Sequence, residues 1–351
     1  MLRLAIAMLV LPSPAAAFTT IPSPTLRRCA ASRRSSGSSG SPSLEVVLPP
    51  PAAHPVTFGL QTMHVLAAAS ALVAAPGEGF MDGVVASVWS SFESASFVTH
   101  LPLFEACLAV SAFVAWIAFF ESIHLWLPGA EEWRLDGQPP SKPLDGFGRD
   151  LHKTVVPAVT YIGSIYIGQQ LGVFTALFGA RPTFVEAPSF ARFVAEVITG
   201  VVTYDLLFYP FHRSFHAAGS LPGWRQQHAR HHAWSKEEHA HNAVETVQNS
   251  YLDAGVQVFI NIFVQNLSPF GFGQKHPLSR AAHNLMVTYL LSEAHSGYDL
   301  PFQSHRLFPG IFGGSPRHEE HHQSGSVCFH QFFTVRAAML RLLRAASVLR
   351  C

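Results

Sequence analysis

The feature that most restricts the fold of this chain is a set of histidines in three short clusters, HRSFH, HARHH and HEEHH. The histidines of these clusters are His212, His216, His228, His231, His232, His318, His321 and His322. Residues three or four positions apart share one face of a helix, and neutral imidazole is a good ligand for Fe, Zn or Cu. One site with roughly three or four protein ligands would use about half of them. The clusters therefore predict two metal ions side by side, in a fold that brings all three clusters together.

The composition indicates a membrane protein. Of 351 residues, 48% are hydrophobic and only 13% are charged, which is a membrane protein's balance. The formal net charge of +1, with no basic stripe between the apolar segments, argues against a nucleic-acid partner. The cysteines form no CxxC pair, which argues against a disulfide framework and against iron–sulfur or zinc–thiolate sites. They are Cys29, Cys107, Cys328 and Cys351.

The amino-terminal region has the composition of targeting segments. Arg3 precedes the apolar run 4–11 and small residues follow it, so residues 1–17 are predicted to be a signal peptide-like segment. Residues 18–50 are rich in Ser, Pro and Arg, with no acidic residue before Glu45, as in a transit peptide. Together they resemble the bipartite presequence of a secondary-plastid alga. The alternative is an ordinary signal peptide followed by a disordered linker.

Beyond residue 55, long apolar runs alternate with polar connections. The runs that predict membrane segments are 56–75, 101–127, 154–180, 190–211, 254–274 and 281–292. Glu105 and Glu121 of the second run are expected to face the bundle or lie near a helix end, because an ionised group facing lipid is costly. The last two runs are predicted to form a hairpin, since the histidine clusters must meet on one side of the bilayer. We expect an all-α, polytopic membrane helix bundle with about four to six membrane segments and a histidine-lined dimetal site at the membrane surface.

The three clusters in this order, with the motif HSGYDLP at residues 295–301 between the last two, resemble the fatty acid hydroxylase and sterol desaturase superfamily. The resemblance covers roughly residues 190–335, the predicted catalytic domain, and leaves residues 51–189 as membrane helices with a connecting loop. In the divergent tail, residues 336–351, the usual Asp-Arg element is not recognisable. The resemblance implies a non-haem, usually di-iron enzyme. Such enzymes use O2 and two electrons to hydroxylate or desaturate a lipid C–H bond, for example in a sterol or fatty acyl chain.

The resemblance also implies roles for individual residues. The eight clustered histidines would be metal ligands, with His295 of the middle motif as a ninth. Asp299 would supply a carboxylate ligand or orient a neighbour. His241 and Glu245, in HNAVE, and Asp205, ahead of the first cluster, would support the ligands from behind by accepting their second N–H. The alternative for the three carboxylates is solvation at the membrane edge or a helix cap.

Electrons are expected from a separate protein, because the sequence has no haem, flavin or nicotinamide fingerprint such as GxGxxG. The expected donor is a cytochrome b5 or, in a plastid, a ferredoxin with its reductase. The predicted location is the endoplasmic reticulum or plastid membrane of a secondary-plastid alga.

Two other functions remain open at this stage. A histidine-rich metal transporter would place ligands midway along its spans, whereas these clusters lie at span ends. A membrane zinc hydrolase would need a metal-bound water and a general base, as in the motif HExxH on a helix, and HEEHH also contains this spacing. The remaining histidines, and the loop 128–153 that contains Arg134, are expected to be structural or interfacial. Those histidines are His54, His64, His100, His124, His152, His239, His276, His283, His305 and His330.

Overall fold

A computed structural model describes residues 79–137, 151–180, 184, 186–217, 223–237, 242–268 and 274–334. These ranges contain helices and no named strand. The longer helices are α1 (Phe80–Ser94), α2 (Phe104–Glu121), α3 (Leu151–Gln170), α4 (Val173–Phe178), α5 (Phe190–His216), α6 (Trp224–Glu237), α7 (Tyr251–Gln265), α8 (Pro277–Ala294) and α9 (Gly314–Ser324). Shorter helices are Ser96–Thr99, Ile123–Trp126, Ala130–Trp133, Ala243–Val247 and Ser304–Leu307. The predicted presequence, the run 56–75, His241 and the tail 336–351 lie outside the described residues.

Capping residues explain where the helices of the catalytic region begin. Ser189 precedes α5 and its side chain accepts from the Arg192 amide, as Ser250 accepts from the Asp253 amide ahead of α7. Such caps satisfy amide groups that a helix leaves unpaired at its start. Helix α9 ends at Gly325, whose φ of 63° favours glycine.

Helix α2 matches the predicted second membrane run. Among the described helices, it alone is both long and apolar enough to cross a bilayer by length and composition. Its 18 residues rise about 27 Å, close to the thickness of the hydrocarbon core. Both of its carboxylates are turned into the protein as predicted: Glu105 pairs with Arg280, and Glu121 accepts from the Val244 amide at 3.2 Å.

The other apolar runs within the described residues also form helices, but these carry more polar groups. Arg280, Asn284 and Glu293 are buried in α8, and α5 contains the buried carboxylates Glu196 and Asp205. These side chains lower the hydropathy of the helices without being exposed. The all-helical fold is therefore confirmed for the described residues, whereas the expected number of membrane segments stays a prediction.

Helix α8 lies at the centre and packs against α2, α5 and α9. Its apolar residues join those of α5 and α7 in one buried cluster, which also includes Phe332. The members are Val201, Tyr204, Phe208, Ile260, Val264, Val287, Leu290, Leu291 and Phe332. Within a bilayer, close packing rather than the exclusion of water holds such helices together. This cluster holds together α5 and α8, which lead into His212 and His295, and α7, which carries Asp253.

The loop after α2 is more than the plain connection that its sequence suggests. The Leu135 amide donates to the Gly297 carbonyl at 3.0 Å, and the Asp299 amide donates to the Trp133 carbonyl at 2.8 Å. Between these bonds, the buried Arg134 guanidinium lies 5.0 Å from the centre of the Tyr298 ring. Arg134 also pairs with Asp136 of its own loop, so this connection is attached to the middle motif through backbone and side-chain contacts.

Candidate metal centre

The fold gathers the three histidine clusters and His295 into two adjoining groups. In each group, the ligand nitrogens lie within 4.8 Å of one another. The first group is His212, His216, His228, His232 and His321. The second group is His231, His295, His318 and His322. All nine predicted ligands are therefore brought together.

Helix geometry divides each HxxHH motif between the two groups. In α6, His228 and His232 are four positions apart and enter the first group, whereas His231 enters the second. In α9 the assignment is reversed. There His318 and His322 enter the second group and His321 enters the first. On the shared face, position i+4 is displaced slightly to one side of position i, and position i+3 is displaced to the other side. One motif therefore contributes to two neighbouring sites.

Backbone carbonyls orient several of these rings from outside. The Nδ1 atom of His212 lies 2.9 Å from the Phe329 carbonyl, that of His321 lies 2.7 Å from the Val327 carbonyl, and that of His295 lies 2.9 Å from the Leu291 carbonyl. A carbonyl only accepts, so Nδ1 carries the proton and Nε2 keeps its lone pair. These rings are therefore set to bind a cation through Nε2.

The Asp253 carboxylate does the same for His228. Its Oδ1 atom lies 3.3 Å from the His228 Nδ1 atom, and both residues are buried. Asp253 stands in the first turn of α7, outside the motifs that predicted the other site residues. The available signal was an acidic residue placed three positions after a serine cap at the start of an apolar helix.

The inner nitrogens face one another at close range. The Nε2 atom of His228 lies 2.9 Å from that of His216 and 3.1 Å from that of His232. In the second group, the His318 Nε2 atom lies 2.9 Å from that of His295. Lone pairs that converge in this way repel each other, and a cation between them removes the repulsion.

The inner ring nitrogen of His321 is available for a metal ion. The Nε2 atom of His321 is buried and makes no hydrogen bond within the described residues, although its Nδ1 atom is held by a carbonyl. A buried polar atom without a partner is costly. The donor set and this atom fit metal ions in the two groups.

Burial keeps these histidines neutral at physiological pH. It lowers the pKa of His232 to about 2, with neighbouring histidines adding to the effect. Burial also lowers the pKa of His321 and of His295 to about 4. Neutral imidazole is the form that binds metal, so no proton has to be removed first.

The three carboxylates predicted to support the ligands have different partners. Asp205 accepts from the amides of Gln331 and Phe332 at 2.6 and 3.0 Å, and from the Nδ1 atom of His330 at 3.0 Å. It therefore holds the segment 327–333, whose carbonyls at Val327 and Phe329 accept from His321 and His212. The effect of Asp205 on the ligands is indirect, and His330 belongs to this contact.

Asp299 and Glu245 are occupied away from the histidine groups. Asp299 accepts from the His305 Nε2 atom at 2.8 Å and from the Arg306 Nε atom at 2.6 Å. Glu245 accepts from the Asn242 amide at 3.3 Å in a capping box. Within the described residues, neither carboxylate joins a group of candidate ligands, so Asp299 orients neighbours and Glu245 caps a helix.

A cavity of about 10 Å³ lies against both groups, between α5, α7 and α8. His212, His231 and His295 reach its wall, together with the apolar side chains of Phe208 and Leu291. This volume holds about one small molecule such as water. The side chains that enclose the candidate site thus leave space directly beside the ring nitrogens.

Comparisons with known proteins agree with this arrangement. The sequence model of the family described as Fatty acid hydroxylase matches residues 197–340, which include all the candidate ligands. Cholesterol 25-hydroxylase-like protein 2 of Danio rerio is 28% identical over 240 residues, which cover 66% of this chain and 78% of that protein. Cholesterol 25-hydroxylase of Homo sapiens is 24% identical over 271 residues, which cover 74% of this chain and 91% of that protein.

No solved structure matches the chain, so its placement rests on sequence relatives and on the site itself. The histidine motifs of the three clusters lie inside the matched range and converge in space. The chain is also similar to the cholesterol 25-hydroxylase of Homo sapiens and to the cholesterol 25-hydroxylase-like protein 2 of Danio rerio. These similarities support placing the chain in the fatty acid hydroxylase and sterol desaturase superfamily.

Proposed function

We propose that this protein is a membrane-bound, non-haem di-iron oxygenase that hydroxylates a sterol or a related lipid. The observation that carries the proposal is the division of nine buried histidines into two adjoining groups of five and four. All nine are proposed as ligands, so each group would hold one iron. Imidazole ligands suit iron. An iron with about six coordination positions would keep at least one of them open in each group.

When bound, the two irons would supply the activation of O2 with two external electrons. The reaction adds one oxygen atom to a C–H bond, and the second oxygen leaves as water after taking up two electrons and two protons. The residues of this chain hold the irons, exclude water and position the lipid. Carbonyl acceptors fix the rings of His212, His295 and His321, which keeps the open positions in constant places.

A sterol is the proposed substrate because the named relatives are cholesterol 25-hydroxylases. The same relatives favour hydroxylation over desaturation. The apolar residues Phe208 and Leu291 beside the histidines suit a hydrocarbon rather than a charged group at the reacting end. The lipid would enter from the bilayer with its apolar tail directed to the histidines.

The proposed membrane arrangement has several spans in addition to α2. Helices α3 and α5, and the pair α7 and α8, would be spans whose polar groups face the bundle. This topology places the histidine groups at one membrane surface, where a soluble or peripheral electron donor can reach them. We propose cytochrome b5 in the endoplasmic reticulum, or ferredoxin with its reductase in a plastid, as that donor.

Metal analysis of the purified full-length protein tests the proposal. Inductively coupled plasma mass spectrometry should find about two irons per chain, and a variant with His231→Ala and His321→Ala should lose them. His283→Asn is the matched control, because His283 is also a buried histidine but lies outside both groups. Iron content should be unchanged in the control.

An activity assay completes the test. Protein supplied with cholesterol, O2 and a reconstituted cytochrome b5 or ferredoxin chain should form a hydroxylated sterol, detected by mass spectrometry. Omission of the donor should abolish the product. One zinc per chain with hydrolysis of a lipid ester would instead support a zinc hydrolase, and metal uptake by proteoliposomes would support a transporter; either result would overturn the proposed function.

A further inference from the structure

A second cavity lies far from the histidine groups. Its volume is about 430 Å³, within the range of sites that bind small organic ligands. It is lined by the first turn of α2, the second half of α3, the start of α4, the last turn of α7 and the first half of α8. One wall is formed by Tyr161, Ile165 and Phe174. The opposite wall is polar.

The charged groups of this cavity neutralise each other. The Arg280 guanidinium pairs with the Glu105 carboxylate, and its Nη1 atom donates to the Gln274 side chain at 2.9 Å. Arg280 is only 3% exposed. A carboxylate or phosphate ligand would have to displace Glu105 to use this charge. The cavity thus favours a neutral ligand.

Three polar atoms on the cavity wall have unused hydrogen-bonding capacity within the described residues. The Arg280 Nε atom is buried without a partner. Asn284 is 2% exposed; its Oδ1 atom accepts from Asn261 and Gln265, which leaves its Nδ2 atom as a donor. Gln265 donates through Nε2 to Asn284, which leaves its Oε1 atom as an acceptor.

This set of atoms matches the chemistry of a hydroxyl group. A hydroxyl accepts from N–H donors and also donates one hydrogen bond. Arg280 and Asn284 offer the donors, and Gln265 offers the acceptor. The apolar wall suits a hydrocarbon body attached to that hydroxyl.

The cavity is separate from the candidate metal centre. Asn284 and His295 are both on or at the end of α8, and the helical rise between them is about 16 Å. Val287 and Leu291 lie between them in the packed cluster. If α2 spans the bilayer, a point that rests on the proposed function, Glu105 is at the membrane boundary opposite the histidines. Lipid hydroxyl groups lie at such boundaries.

We propose that this cavity is a second ligand site, which binds the hydroxyl end of a neutral lipid. The lipid would be a sterol or a glyceride, since both present one hydroxyl on a hydrocarbon body. Arg280 and Asn284 donate to its oxygen, and Gln265 accepts its proton. Its occupation does not require metal.

Equilibrium binding of tritiated cholesterol to the full-length protein in lipid nanodiscs tests this site. Asn284→Leu should weaken saturable binding about tenfold while the metal content stays unchanged. The double variant His231→Ala and His321→Ala should retain this binding even if it loses metal. Failure of the proposed iron chemistry is thereby distinguished from failure of the second site.

Competition identifies the lipid class. Unlabelled cholesterol that displaces the tracer supports a sterol, and dioleoylglycerol that displaces it better supports a glyceride. Displacement by oleate alone, or binding that Asn284→Leu leaves unchanged, would overturn the proposal. Glu105→Gln removes the charge that neutralises Arg280, so this variant should gain displacement by oleate. If it gains none, the inference from neutrality is wrong.

Discussion

The two ends of α8 bury polar groups in opposite ways. At its C-terminal end, His295 joins rings whose inner nitrogens face one another, an arrangement that calls for a cation. At its N-terminal half, Arg280 is already paired with Glu105, and the adjoining amides retain capacity for a neutral group. The C-terminal end of α8 is suited to bind a cation from solution. The N-terminal half already contains a neutral pair of opposite charges, Arg280 and Glu105. The difference shows that burial of polar residues alone does not identify a metal site; the direction of the lone pairs does.

The strongest way to break this comparison is to remove one ligand from each histidine group in turn. His322→Ala leaves the group of four with three histidines, whereas His321→Ala leaves the group of five with four. Both variants should lose activity. The loss should be larger in His322→Ala, whose activity should fall more than about a hundredfold below that of the unaltered protein. Iron per chain and turnover with cholesterol provide the measurements. Loss of both irons in each single variant would contradict the division into two groups.

A smaller effect is expected at Asp205, which acts through the segment 327–333 rather than on a ring. Asp205→Asn keeps the volume but weakens the hold on the Gln331 and Phe332 amides. Activity and iron affinity should fall about 10- to 100-fold, and the electronic spectrum of the iron should change. Glu93→Gln serves as the control, because Glu93 is partly exposed and pairs with His100 instead of with the segment 327–333. A stable variant with an unchanged spectrum would show that Asp205 supports only the fold.

At Asp253, the expected loss is about tenfold in iron affinity. Asp253→Asn retains an oxygen that can accept from His228 but removes the charge that increases the basicity of the ring. Competition with a chelator measures the affinity, and the melting temperature without metal provides a control for folding. An unchanged affinity would mean that the 3.3 Å contact contributes only orientation.

The smallest effect is expected at low pH, on the free energy of unfolding, through Asp299 of the middle motif. Burial raises the pKa of Asp299, but hydrogen bonds from His305 and Arg306 outweigh it and lower the pKa to about 2. The folded pKa is below the unfolded value, so the stabilisation is present at neutral pH and is lost as pH falls from about 4 towards 2. It amounts to about 2 kcal/mol at most. Asp299→Asn should flatten this part of the curve of unfolding free energy against pH.

The histidine clusters of α6 and α9 were predictable because their residues are regularly spaced. The intervals of three and four residues in HARHH and HEEHH are a local property of the sequence, and they predict a shared helix face before any fold is known. The apolar runs likewise predicted the positions of α2, α5 and α8. The sequence also gave reason to expect Glu105 and Glu121 inside the bundle, where the structure has them.

The contacts of the remaining site residues do not follow from local sequence patterns, because single residues from distant segments form them. Asp253 meets His228 across 25 positions, and Arg134 meets Tyr298 across a much longer interval. The acceptors of His212 and His321 are backbone carbonyls, which carry no signal in the residue type. Asp205 was predicted to support the first cluster, but its route through the segment 327–333 depends on the tertiary fold.

The hydrogen bonds between Asp205 and the segment 327–333 have a consequence for biosynthesis. His212 leaves the ribosome more than a hundred residues before Phe329, its carbonyl acceptor, and before His321, its companion in the first group. The first two clusters can therefore form only part of the site while translation continues. We expect iron to be retained only after residue 333 has folded back on α5, which makes the loading of metal a late event in the maturation of this protein.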